Sequence, residues 1–590
     1  ADPLQTLARS PETHRAPPVV ALTATASQPG LRDLQVELKL DEVEGSGAVL
    51  RPGTLNRPEL DLRVEIVDQK GGEELGVATR RVMTDVLAAL PQEFADIPAG
   101  EFFQAHGAQT ASGIVFVPHT NGVYGAQAVA TFLQTKLAAR KELQHRGRVR
   151  VGAYSRGAPK DQDKDEWERK LPAVAGDFIE NRTPLLVATK AFGMGIDKPN
   201  IRYVIHVGVP GAIESYYQEI GRAGRDRQRS VCVLVMSVGD RESALKKLDV
   251  GLSMDELQKF PRPWPSDADD IDRMMFFFFN NHAGVDVEVE DIIALLGNDG
   301  LGDLKGASQR RIGFQEPRGK KRAGGHGKEV AGGPRDLAHA REVALYRLRM
   351  LGVISGYQKD YSSQQFVVDV NDCDAGDVVD HLRRYISLRQ PGQLGRVNSL
   401  QARLSQESAP SLNWVVSEAA QVLVGFVYET IVRGKRRQLR EIWLAAFDGK
   451  DDPNRQFRGR ILEYLGEGTD IADTIPALLE EERLSDPDAP WHFARWCDHL
   501  VTREQYLRER DDQYVGRELR GVSARLLADN AQHPGLLLAR GLSEALDPEG
   551  DLSELVVNVA YALQSARQPY GVSDDELDKA ISWLWEEPAR

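Results

Sequence analysis

Val187-Ala188-Thr189-Lys190-Ala191-Phe192-Gly193-Met194-Gly195-Ile196-Asp197-Lys198-Pro199-Asn200 decides how the rest of this 590-residue chain is read. A buried strand ends at Thr189 and enters a turn punctuated by Gly193 and Gly195, where backbone N–H groups can approach a phosphate closely. Further on, Gln218-Glu219-Ile220-Gly221-Arg222-Ala223-Gly224-Arg225-Asp226 presents two arginines three apart, which on a helix share one face, with Gln218 one turn earlier. Such a pair can reach the oxygens of a transferring phosphoryl group from outside its cradle. A lone Gly-x-Gly or a lone arginine pair is more often a turn with surface ion pairs. The two long phrases in this order act as one compound motif of much higher specificity.

Outward from these phrases, residues 55–250 alternate apolar runs with helical patterns. The runs are Ile114–Val117, Val149–Val151, Leu185–Ala188, Tyr203–His206 and Val231–Val235, with helices expected at Ala126–Ala139 and Asp165–Asn181. The fold class this implies is α/β, a parallel sheet with helices on both faces, whose function sits at the carboxyl ends of its strands. The prolines of Phe260-Pro261-Arg262-Pro263-Trp264-Pro265 mark 251–268 as a linker. Residues 269–372 show three helical patterns, Ile271–Asn281, Val289–Leu296 and Leu337–Leu351. A hairpin, Val353–Tyr357 with Gln365–Val370, follows them, giving a winged-helix plan. Between its second and third helices, 302–333 reads as a basic loop. The remainder, 373–590, is helical throughout, and no fixed repeat period emerges.

Hydrophobic residues make up 41% and charged residues 27%, an ordinary globular composition. No apolar run of about 18 residues is found, so no membrane span is expected. Three cysteines over this length exclude a disulfide scaffold and suit a reducing, cytoplasmic setting. The net charge of -14 argues against nucleic acid only until it is resolved locally: from Lys305 to Lys328 there are eight Lys or Arg and one acid, Glu316. Lys320, Lys321 and Arg322 in that loop, with Arg347 on the third helix, are the candidates for DNA phosphates outside the motif phrases.

Ala-Thr-Lys-Ala-Phe-Gly-Met-Gly-Ile-Asp-Lys-Pro from Ala188, Glu214-Ser215-Tyr216-Tyr217-Gln218-Glu219 and Gly221-Arg222-Ala223-Gly224-Arg225-Asp226 resemble motifs V and VI of superfamily-two helicases, specifically the RecQ family. Ala21-Leu22-Thr23-Ala24-Thr25-Ala26 resembles motif III, Leu55-Asn56-Arg57-Pro58 the segment leading into the second lobe, and Ser112–Val117 motif IV. The resemblance covers about Pro17 to Leu248. It implies a RecA-like lobe and an ATP-dependent DNA helicase moving 3′ to 5′ on one strand. By that resemblance Arg222 and Arg225 contact the ATP phosphates, with Arg225 as the arginine finger, and Gln218 joins nucleotide to DNA response. Asp197 and Gly195 stand on the nucleotide side. Thr23, Thr25, Thr189 and Gly193 line the single-stranded DNA, as Gly195 also does.

The sequence departs from that family in several places. No Gly-x-x-x-x-Gly-Lys-Ser/Thr phosphate loop and no Asp-Glu-Ala-His box for Mg²⁺ is found. Residues 1–54 therefore read as the remnant of a first lobe. The expectation is a split gene or a truncated start, with most ATP and Mg²⁺ ligands on the missing lobe and no ATP hydrolysis by this chain alone. Cys232, Cys373 and Cys497 are too far apart for the zinc subdomain of typical RecQ proteins, so no zinc is expected. Packing of Trp491, Phe493 and Trp496 in a helical core accounts for the residues around Cys497. The acidic tail, with Glu480-Glu481-Glu482, repels DNA and suits a protein partner. The rival reading is a non-catalytic DNA-binding or scaffold protein built on an orphan lobe; an RNA helicase is disfavoured by Phe192–Gly195. Replacing Lys320, Lys321 and Arg322 with Ala is expected to flatten the log–log salt dependence of DNA binding by a slope of up to about 2–3. An unchanged slope would leave the loop without a DNA role.

Overall fold

The apolar runs become a six-stranded, wholly parallel sheet. The computed structural model describes residues 55–94, 96–140, 149–192, 196–239, 241–257, 259–260, 268–297, 300–302, 304, 306–314, 337–408, 410–465, 475–476, 478–479, 481–482, 491–497, 500, 515–547 and 550–586. Its strands are β1 (Leu60–Ile66), β2 (Ser112–Phe116), β3 (Val151–Tyr154), β4 (Leu185–Ala188), β5 (Ile201–Val207) and β6 (Ser230–Met236), in the order β1-β6-β5-β2-β4-β3. Helices α1 (Leu75–Ala89), α2 (Ala126–Ala138), α3 (Lys164–Ile179) and α4 (Ile213–Ile220) alternate with them. Every residue of β2, β4 and β6 is buried, as two covered faces require. β1 was not among the expected strands. Its Leu-Asp-Leu-Arg-Val-Glu-Ile alternates because it lies at the edge, where one side of the ribbon keeps charges.

One face of the sheet packs Val115, Tyr203 and Val233 against α1 and α2. The other face is closed by α4 and by segments far along the chain. After the lobe come α5 (Asp270–Asn281) and α6 (Val285–Leu295), then strand β7 (Ser308–Gly313), α7 (Leu337–Met350), β8 (Ile354–Asp360) and β9 (Gln365–Val370). The last three strands form an antiparallel sheet in the order β7-β9-β8. The expected two-stranded hairpin thus has a third strand, and β7 lies inside the stretch read as a loop. Ser-Gln-Arg-Arg-Ile-Gly carries too little apolar alternation to signal it, and it is held by pairing with β9. Residues 315–336, including Lys320, Lys321 and Arg322, lie outside the described residues, as do 1–54 with Thr23 and Thr25 and 261–267 of the linker.

Residues 373–590 do not form one helical unit. Helices α8 (Ala375–Ser387), α9 (Gly395–Leu404) and α10 (Leu412–Val427) share a core with α6, α7 and the three-stranded sheet. A π-helical step, Tyr428–Val432, carries α10 into α11 (Arg433–Asp448), and α12 (Arg458–Leu465) follows. The continuous helix Leu412–Asp448 is long and apolar enough to cross a membrane by length and composition, a feature the search for uninterrupted runs passed over. In its apolar window 61% of residues are buried inside the protein, which is the pattern of a core helix. Finally α13 (Val515–Leu527), α14 (Pro534–Leu546), α15 (Leu552–Arg567) and α16 (Asp574–Glu586) enclose a further core that takes in Phe493 and Trp496.

α11 and α12 complete the core on the other face of the parallel sheet, where Ile442, Trp443, Phe457 and Ile461 pack with Leu62, Ile114 and Tyr216. The edge strand is clipped as well. The amide of Leu62 donates to Asn454 Oδ1 at 2.9 Å, and Asn454 Nδ2 donates to Asp61 Oδ1 at 2.6 Å. Arg458 donates to the carbonyls of Arg57 (3.0 Å) and Leu60. The exposed N–H row of an edge is thereby partly used up by its own chain. Trp443 is fully buried in this joint. Trp443→Ala is expected to lower unfolding stability by about 3–5 kcal/mol in denaturant titration. A loss below about 1 kcal/mol would mean that α11 is not part of the lobe's core.

Candidate functional site

Thr189 stands where the first phrase leaves β4. Its amide donates to the Tyr154 carbonyl (3.0 Å), extending the β3–β4 pairing by one residue, and its own carbonyl accepts from Phe192 (3.0 Å). Phe192 is buried against Tyr154 and Phe178, at ring distances of 4.9 and 5.8 Å, so this aromatic anchors the turn. Gly193 and Gly195 lie outside the described residues. The chain returns at Ile196 and reaches the opposite end of the sheet. Lys198 Nζ there donates to the Ile179 carbonyl (3.3 Å) and to Asn181 Oδ1, and Asn200 Nδ2 donates to the same oxygen at 2.9 Å. Lys198-Pro199-Asn200 is thus an internal fastening before β5. Lys198 is almost wholly buried, and burial pushes its pKa down to about 8.

The second phrase follows the same logic. α4 ends at Ile220, and residues 221–226 form turns, so Arg222 and Arg225 do not share a helix face as their spacing suggested. Gly224 lies in the left-handed region at φ 59°. A Cβ there would meet Gln228 O at 3.1 Å, Glu59 Cγ at 3.2 Å and Ser230 Oγ at 3.2 Å, which reserves the position for glycine. The Gly224 amide donates to the Ile201 carbonyl (3.1 Å) at the start of β5. Arg57 Nη2 donates to the carbonyls of Ala223 (3.0 Å) and Gly224 (2.8 Å), so the segment leading into the lobe clamps this turn. Arg202 holds its far side through Asp226 at 3.1 and 2.5 Å.

The two arginines separate in environment. Arg222 is buried, and burial pushes its guanidinium pKa below the ordinary value. The negative charge of Glu219 opposes that shift, and the positive charge of Arg225 adds to it. Arg225 is 36% exposed and reaches Asp197 Oδ1 at 2.8 Å, while the Asp197 side chain is 85% exposed. The fold therefore joins Asp197 to Arg225, and sets Arg222 beside both Arg225 and Glu219. Gln218 is exposed on α4. Sequence reasoning passed over Glu219 and His206. His206 Nε2 lies 2.7 Å from Glu219 Oε2, and its ring stacks on Phe116 (5.1 Å) and meets Tyr216 at a tilt (5.0 Å). The available signal was a histidine closing the apolar run Tyr203-Val204-Ile205.

Asp197, Arg222 and Arg225 precede β5 and β6, at the amino ends of the strands. Thr189 follows β4 at the carboxyl end. Among the described candidates, Thr189 lies at the carboxyl end where function was expected, and Asp197 and the two arginines do not. The register pairs Ala188 with Phe116, and Phe116 with His206, so the two groups are separated by about five strand residues, roughly 15–20 Å.

Arg347 is corrected. Its Nε and Nη2 donate to Glu288 Oε2 at 3.1 and 3.0 Å, both side chains are nearly buried, and Tyr428 donates to the other Glu288 oxygen at 2.7 Å. It staples α7 to α6 and, through Tyr428, to the step that follows α10, so its guanidinium is engaged inside the protein. Arg349 on the same helix is exposed.

For ATP, the residues present fit one side of a triphosphate. Among the described residues Arg225 is held by an exposed carboxylate that a phosphate can displace, since surface pairs are worth about 0–1 kcal/mol. For Mg²⁺, no group of three or more His, Cys, Asp or Glu is placed to hold a metal among the described residues. Cys232 and Cys497 are buried free thiols and Cys373 is half-buried.

Residues 104–227 match the family described as the Helicase conserved C-terminal domain. The chain is 32% identical over 226 residues to the probable ATP-dependent DNA helicase RecS of Bacillus subtilis, covering 38% of this chain and 35% of that protein. It is 48% identical over 95 residues to the ATP-dependent DNA helicase RecQ of the same organism, covering 16% and 15% respectively. With the ATP-dependent helicase wrn-1 of Caenorhabditis elegans it shares 54% over 100 residues, covering 17% and 9%. The matched region thus spans about a third or less of these relatives.

The Lys198 fastening has a pH signature. Its folded pKa of about 8 lies below the ordinary 10.5, so between those values the unfolded chain binds more protons and stability rises with pH. The contribution is complete above 10.5 and lost as pH falls through 8. Unfolding free energies of wild type and Lys198→Met are expected to diverge in the wild type's favour as pH is raised across this window. Parallel curves would place the ammonium in solvent.

Proposed function

We propose, from the premise that this chain carries the C-terminal helicase lobe of a RecQ-like superfamily-two helicase, that the lobe is the second half of an ATP-dependent DNA motor working in the cytoplasm. The phosphate loop and the Mg²⁺ ligands belong, in this reading, to a first lobe that faces Arg225. The observation that carries the proposal is the Asp197–Arg225 pair, exposed at the amino ends of β5 and β6 and fixed from behind by Arg57 and Gly224. ATP supplies the γ-phosphate, whose transfer to water is the energy-yielding step.

The residues of this chain then do three things. Arg225 leaves Asp197 and places its fork on the transferring phosphoryl oxygens, where charge develops. Arg222, buried beside Arg225 and Glu219, adds to the local positive potential that meets the incoming anion. Asp197, once released, turns to the nucleotide side. At the far end of the sheet Thr189 meets the DNA strand, held largely through its phosphates. The link between the ends runs through Glu219, which pairs with His206 toward the carboxyl end of β5 and lies beside Arg222.

The helices and three-stranded sheet of residues 285–370 are read as a winged helix beside the duplex, with Lys320, Lys321, Arg322 and Arg349 as its phosphate contacts. Arg347 drops out of that set. The acidic helical region beyond 475 is read as a docking surface for a protein partner.

The test is ATPase assay of this chain with and without a separately produced RecQ-type first lobe, in the presence of single-stranded DNA. The chain alone is expected to show no DNA-stimulated turnover, and the pair to show it. In the pair, Arg225→Ala is expected to lower kcat by about 10³, as arginine fingers do. Turnover by the chain alone that Arg225→Ala abolishes would overturn the two-lobe reading, and a pair indifferent to Arg225→Ala would favour the orphan-lobe scaffold.

A further inference from the structure

The start of α11, Arg433-Gly434-Lys435-Arg436-Arg437, is a basic sequence that the fold takes inside. Arg436 Nη2 donates to the carbonyls of Val250 (2.9 Å) and Leu252 (2.7 Å) where the chain leaves the helicase lobe, while its Nε has no hydrogen-bond partner among the described residues. Arg437 is not satisfied in that way. It is 4% exposed, and its Nε has no hydrogen-bond partner among the described residues. Burial pushes its pKa down to about 10, and Arg433 beside it is lowered by the same cause. Both guanidiniums line a cavity of about 1030 Å³ between α11, α15 and Val250-Gly251.

Charge in that cavity does not balance. Its walls carry Arg396, Arg433, Arg437 and Arg567 against Glu429 and Asp578. Arg396 is paired with Glu429, and Arg567 with Asp574 at 2.6 Å. The other carboxylates that act on Arg433 and Arg437 are engaged elsewhere. Asp249 accepts from Tyr561 (2.9 Å) and the Gly251 amide (2.8 Å). Glu554 takes both Nη groups of Arg440, and Glu441 lies 3.7 Å from Arg540. An unmatched guanidinium out of water is costly, and a bound anion offsets that cost. Two forks one helical turn apart suit the tetrahedral oxygens of a phosphate better than a planar carboxylate. A phosphate alone leaves most of the volume empty, whereas Leu537, Leu563 and Tyr561 on the same wall suit a flat apolar body.

We propose that this cavity binds a small phosphorylated ligand, a nucleoside phosphate, with its phosphate on Arg433 and Arg437. The site sits at the joint between the helicase lobe and the helical region, so an occupant ties Val250-Gly251 to α15.

The test is isothermal titration of the full chain at low ionic strength, once with inorganic phosphate and once with AMP. Saturable one-to-one binding is expected, tighter for AMP, persisting in Arg225→Ala and weakened about tenfold or more in Arg437→Met. Phosphate and AMP binding with equal strength keeps the phosphate site and identifies its ligand as free phosphate. Because Arg437 is buried, its variant is read beside Arg433→Gln, on the half-buried guanidinium, with melting temperatures measured for both. No saturable binding of either probe to the wild-type chain would overturn the proposal. So would binding that both variants leave unchanged, or binding that Arg225→Ala removes.

Discussion

Two backbone carbonyls, those of Ala223 and Gly224, determine where the candidate finger points. Arg57 grips both, and the Gly224 amide is tied to the first residue of β5. With the turn held on both sides, Arg225 has its origin fixed to a strand of the central sheet and only its side chain is free to move. That is the condition under which a charged group contributes to a transition state, because little reorganisation is left for the moment of reaction. Gly224 makes the clamp feasible, since any Cβ at its left-handed backbone would push against Gln228, Glu59 and Ser230.

The clamp draws on distant parts of the chain. Arg57 precedes β1, and the backbone around it is held by Arg458 from α12. α4 carries Glu219 and Gln218 toward the turn and is itself packed by Phe457 against Tyr216, at 5.4 Å between rings, while Tyr464 donates to Glu214 at 3.1 Å. The helical region therefore works as structural backing for the motif surface, and a rearrangement at α11 or α12 would be felt at α4. The same packing connects the joint near Val250 with the turn of residues 221–226.

How much of this was legible in the sequence follows from which forces act locally. The central strands were readable because burial on both faces leaves almost nothing but apolar residues, as in β4 and in Val231–Met236 of β6. β1 was missed because an edge strand keeps its charges, and β7 because pairing with β9, not its own composition, makes it a strand. The motif residues could be found by phrase, but not their placement. Only the register shows that Asp197 and the arginines lie at the amino ends while Thr189 lies at the carboxyl end. Arg347 looked like a phosphate contact because spacing cannot reveal that Glu288 and Tyr428 wait for it in the core. The single helical domain expected beyond 373 divides among three cores for the same reason, since helical periodicity says which face is apolar and not what it meets.

The most direct measurement is a structure of this chain bound to a RecQ-type first lobe, single-stranded DNA and a non-hydrolysable ATP analogue. The account requires the Arg225 guanidinium to have left Asp197 and to lie about 3 Å from a γ-phosphate oxygen. An analogue bound with Arg225 still on Asp197 and no lobe facing the turn of residues 221–226 would contradict it.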